Sequence, residues 1–219
     1  MMADLARLFF LVAPFTLLPA VAIELFGPPA PTSITNISGE QLLFRLALPS
    51  LIGAFGQLAA VCLVLRIDLT PRDALSAALA AYPAYVLAQL VGSFPVGLGL
   101  MALLVPGLWL FGRLLFLSGA LAIAEPGSPL QLLRRSWALS AGQGLQIGLF
   151  LVLGLLGVIG IGILAEGAGA ALDVVARFAG LNSVGRFVHA LVPAAGSCIT
   201  TVGVAAASAV AYRRIAAGT

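Results

Sequence analysis

Six apolar stretches, each long enough to cross a bilayer, fill most of this 219-residue chain and leave little room for anything else. They lie at 8–25, 42–65, 75–94, 103–124, 145–164 and 187–212. A spanning helix needs about 20 apolar residues, because each residue rises 1.5 Å through a hydrocarbon core about 30 Å thick. Only 9% of the residues are charged and 61% are hydrophobic, with a mean hydropathy of +1.13. Water-facing surfaces need far more charge than this, so most of the surface must face lipid. The expected fold is all-α: one polytopic membrane helix bundle of about six transmembrane helices with short cytoplasmic interfacial helices. No length is left for a soluble catalytic domain.

The first stretch has a rival reading as a signal peptide, since Ala20-Val21-Ala22 has the small-x-small form of a cleavage site. A single Arg7 offset by Asp4 is a weak positive start, and the segment is read as retained. Residues 27–39 are polar and Pro-rich and form an outer loop. Asn36-Ile37-Ser38 matches a glycosylation sequon by pattern alone.

The eleven basic residues are all Arg and give a net charge of +3. No basic stripe with interleaved aromatics accompanies them, so nucleic acid is not expected as a partner. In a membrane chain they mark topology. With the N-terminus inside, Arg7, Arg66, Arg72, Arg134, Arg135, Arg213 and Arg214 fall on the cytoplasmic side, against Arg45, Arg177 and Arg186 outside. Both termini are therefore expected in the cytoplasm.

Two cytoplasmic elbows, 70–76 and 128–140, begin alike. Thr70-Pro71 and Ser128-Pro129 each place a hydroxyl at a helix N-cap and Pro at the first helical position. Asp73 and Gln131 follow three residues after the cap, and Ser128 with Gln131 satisfies the capping-box pattern. In the second elbow Leu130, Leu133 and Trp137 share one face and Gln131, Arg134 and Arg135 another, which predicts a helix lying in the interface. The two elbows also raise an internal duplication, with segments two and three matching four and five about an axis along the membrane normal.

Arg113 interrupts an apolar helix. A central Arg costs about 2.5–3.5 kcal/mol on the insertion scale, which neighbouring Leu and Phe offset at about 0.3–0.6 each. Intramembrane charge marks function by default, against the blander alternatives of snorkelling to the interface or holding helices together. The expected partner is Glu24 or Glu166. Glu125 sits twelve residues, about 18 Å, further along the same helix and is expected to meet Arg72, Arg134 or Arg135 instead. His189, the only histidine, reads as a hydrogen-bonded packing residue, and Cys62 and Cys198 as small apolar residues. No catalytic, cofactor-binding or metal-ligating constellation is present in the sequence, and an enzyme is not expected.

The run Leu104-Val105-Pro106-Gly107-Leu108-Trp109-Leu110-Phe111-Gly112-Arg113, then Glu125, then Leu132-Leu133-Arg134-Arg135-Ser136-Trp137 and Gly142, carries a family resemblance. It resembles the bacterial membrane-protein superfamily that includes the membrane domain of glycerophosphoryl diester phosphodiesterases and the YciC-like inner-membrane proteins. The likeness covers roughly 103–153. It implies a six-helix bacterial inner-membrane protein without phosphodiesterase chemistry, which belongs to an attached soluble barrel. The expected role is non-enzymatic binding of membrane lipids, of a membrane-protein partner or of a second copy. The competing role is a small transporter or channel built on Arg113. Glu24, Arg72, Arg113, Glu125, Arg134, Arg135, Ser136 and Glu166 are the residues on which either role would rest.

Overall fold

Helix starts follow the local chemistry of the caps. Thr70 lies in extended backbone (φ −73°, ψ 156°) and its hydroxyl accepts from the Asp73 amide, so a helix begins at Pro71. Ser128 and Gln131 form a complete capping box at the next such start. A second capping box, Ser38 with Gln41, was missed in the sequence because Ser38 closes the polar loop. A computed structural model describes residues 2–29, 38–142 and 144–217. The sequon residues Asn36 and Ile37 lie outside them.

The chain is all-α, with no strand among the described residues. In order the helices are α1 (Met2–Phe26), α2 (Gly39–Leu65), α3 (Pro71–Ala102), α4 (Leu104–Leu114), α5 (Ser118–Ala124), α6 (Pro129–Leu139), α7 (Gly144–Phe178) and α8 (Asn182–Ala217). Six helical stretches are long and apolar enough to cross a membrane, α4 and α5 together counting as one. This is a multi-pass membrane bundle.

Three features depart from the sequence reading. Residues 70–76 do not make a separate interfacial helix: the capped turn runs straight into the 32-residue α3. That helix continues to Ala102 through Pro83 and Pro95, and α7 continues to Phe178. The second elbow does give a separate helix, α6, but it packs against α3, α4 and α5. Its buried face is Leu132, Leu133, Ser136 and Leu139, whereas Leu130 and Trp137 are exposed.

The chain divides into two compact units that share α2, α7 and α8. Unit 1 comprises Met1–Gly56 and Val158–Val202. Here the Phe15 and Phe55 rings pack edge-on at 5.0 Å, and a Cβ on Gly56 would stand 2.8 Å from that of Phe15. Arg45 ties α2 to the end of α1, bonding Glu24 at 3.1 Å and the Pro28 carbonyl at 2.6 Å. It lies in a π-helical stretch, Leu42–Ala47. Pro49 explains that widening, since its ring would collide with the carbonyl four residues back in a regular helix. Helix α7 ends in a Schellman turn: Gly180 takes φ +74°, and the Leu181 amide reaches the Ala176 carbonyl at 2.8 Å. Before the turn, Asp173 bonds Arg177, and its other carboxylate oxygen stands where a Cβ on Gly185, beyond the turn, would lie. His189 packs on Gly169, and its Nδ1 is buried without a hydrogen-bond partner among the described residues, contrary to the hydrogen-bonded role expected of it.

Unit 2 comprises Gln57–Gly157 and Gly203–Thr219 and holds most of the buried side chains, from Leu58 to Cys62 and from Leu115 to Ile123. Single-residue reversal at Leu103 (φ −163°, ψ 149°) turns α3 back into α4. Gly107 makes this possible: a Cβ there would lie 2.6 Å from the Leu100 backbone nitrogen. Pro106 sits in the first turn of α4, where a missing N–H leaves no intrahelical bond unmade. The Pro-Gly pair thus starts a helix and presses it against its predecessor.

Candidate functional site

Helix α4 stops at Leu114 and α5 begins at Ser118, which deprives the Arg113 carbonyl of its regular intrahelical donor. The buried Ser136 hydroxyl replaces that donor at 2.8 Å. The guanidinium of Arg113 meanwhile reaches the end of α6, donating to the Trp137 carbonyl at 3.1 Å and to the Ser140 hydroxyl at 3.3 Å. It stands 3.9 Å from the Trp137 ring centroid and 5.0 Å from that of Trp109, the two rings meeting edge-on.

Within unit 2, Arg113 is thus engaged by the α6 end, whereas Glu24 and Glu166, the partners expected of it, belong to unit 1. Glu24 takes Arg45, and Glu166 is exposed on α7 with no ion pair among the described residues. The physical reason lies in the α6 terminus. The last carbonyls of a helix are unpaired and carry about half a negative charge, so a helix end can serve a cation as a carboxylate would. Two aromatic faces add cation–π attraction.

The same solution recurs twice in unit 2. Arg66 donates to the Ile123 carbonyl at the end of α5, at 3.3 Å. Arg213 donates to the Val64 and Leu65 carbonyls at the end of α2, at 2.6 and 2.7 Å. Arginines first read as topology markers are thus also helix caps.

Glu125, at the end of α5, is held at both oxygens. Arg135 Nε donates to Oε2 at 3.1 Å and the Tyr212 hydroxyl to Oε1 at 2.9 Å. Of its three expected partners it bonds Arg135. Arg134 precedes it by one residue in the same helix turn, exposed, and Arg72 is exposed on α3; neither forms an ion pair among the described residues. Sequence reasoning missed Tyr212, whose signal was the run Tyr212-Arg213-Arg214. Successive helix residues point about 100° apart, so these three radiate to the α5 end, to the α2 end and towards α7.

A cleft of about 440 Å³ opens between the turn Glu125-Pro126-Gly127 and α6. Gln131, Arg134 and Arg135 line it, with Leu121 and Leu132 as apolar wall. Two guanidinium groups face one carboxylate there, so the cleft can take an anion. No cluster of three or more potential metal ligands occurs among the described residues. No protein-family model, no curated protein and no solved structure matches the chain, so the role of this end has to be inferred from its own geometry.

Proposed function

We propose that this multi-pass membrane protein binds anionic phospholipid headgroups, without catalysis, at the basic end of unit 2. The supporting observation is the cleft beside Glu125, where Arg134 has no protein anion among the described residues and Arg135 has one that it shares with Tyr212. Anionic lipid attracts each juxtamembrane Arg by about 1 kcal/mol, and phosphate oxygens match the guanidinium fork. The proposal places this end and both termini in the cytoplasm, following the Arg asymmetry. It also places the chain among bacterial inner-membrane proteins, through the likeness of 103–153 to the phosphodiesterase membrane domain and YciC-like superfamily. A transport role for Arg113 is disfavoured, because its guanidinium is already engaged by the α6 end and two tryptophans.

Native mass spectrometry of the protein released from mild detergent tests the reading. Phosphatidylglycerol or cardiolipin should remain bound to the wild type and be reduced in Arg134→Gln. Retention of zwitterionic lipid alone would count against it.

A further inference from the structure

Tyr212 and Arg214 lie two residues apart, about 200° around α8, so Arg214 faces away from the Glu125 cleft. On that side a second cleft of about 540 Å³ runs between α8 and α7 within unit 2. Its floor on α8 is Ala207, Val210 and Ala211, at helical spacing, and Arg214 stands at its end. Its opposite wall carries Phe116 and Phe150, whose rings pack at 5.7 Å. The volume is that of a single small-ligand site, for which about 300–1,000 Å³ is usual.

We propose that this groove seats one acyl chain of an anionic phospholipid, with the phosphate on Arg214. The inference rests on the headgroup reading above and adds a second site of defined shape. Three observations carry it. Small Ala207 and Ala211 leave a shallow apolar trough on α8 beside the exposed Phe150 and Val210. Arg214 is exposed and forms no ion pair among the described residues. The groove is otherwise apolar, so it matches an amphiphile with one negative end. A packed helix from a second copy would cover the small residues but leave the guanidinium without an anion.

The test reconstitutes the full chain in phosphatidylcholine nanodiscs containing phosphatidylglycerol with a photoreactive acyl chain. Adducts, mapped by peptide mass spectrometry, should concentrate on the peptides bearing Phe116, Phe150 and 207–211. Arg214→Gln should lower their yield about fivefold, the loss of roughly one headgroup contact. Ala207→Phe should fill the groove and abolish them. Adducts spread along every lipid-facing helix, equal yield from a phosphatidylcholine probe on the wild type, or a cross-link to a second copy would each overturn the groove. If adducts are absent while Arg134→Gln still releases anionic lipid, the groove alone falls. Loss of any anionic preference sinks both.

Discussion

Arg113 was visible in the sequence as an anomaly, a charge inside an apolar helix, but its partner was not. A carboxylate can be searched for by letter, whereas the acceptor turned out to be a helix terminus, and backbone carbonyls have no letter. Glu125 shows the converse: a carboxylate near an Arg-Arg pair narrowed its partner to Arg72, Arg134 or Arg135, and it bonds Arg135. Because Trp109 and Trp137 are the only two tryptophans, intrinsic fluorescence reports on the Arg113 cage alone. Arg113→Leu should shift the emission maximum and lower the melting temperature, while Arg113→Lys should recover little, since Lys lacks the planar fork. Unchanged emission in Arg113→Leu would contradict the cage. Ser136→Ala should cost about 1 kcal/mol, because it leaves the part-buried Arg113 carbonyl without its donor at the α4–α5 break.

At the scale of elements, starts were more legible than ends or packing. Thr70 and Ser128 announce their helices through side chains that bond the first turn, a purely local event. The ends of α3 and α7 carry no such signature, and each runs well past the apolar stretch that betrayed it. The inward face of α6 was misread for a related reason. Hydropathy distinguishes apolar from polar, but in a membrane both lipid and core accept Leu, so Leu130 and Leu133 look alike although only the second is buried. The α3–α4 reversal offers a clean comparison. Gly107→Ala should destabilise by about 1–3 kcal/mol, because its Cβ would meet Leu100 backbone. Gly97→Ala, where nothing lies within 4 Å, should be neutral or stabilise slightly in the same thermal melts. Equal losses in both would contradict the close packing assigned to Gly107.

For the whole molecule, membrane insertion and an all-α bundle follow from the length and apolarity of the segments. The arrangement of charge needed coordinates. In unit 2, Arg66, Arg113 and Arg213 are consumed in capping helix ends, and Arg135 in holding Glu125. Counting arginines therefore overstates what is available to a ligand: Arg134 and Arg214 line clefts with no ion pair among the described residues, and they carry the proposed binding. The most direct measurement is the melting temperature of the detergent-solubilised protein during titration with phosphatidylglycerol or phosphatidylcholine. A ligand that binds only the folded state raises stability by mass action. The account predicts a rise with phosphatidylglycerol that is blunted in Arg134→Gln and Arg214→Gln and flattened in the double variant, and little rise with phosphatidylcholine. An equal rise with both lipids, or one undiminished in the double variant, would contradict it.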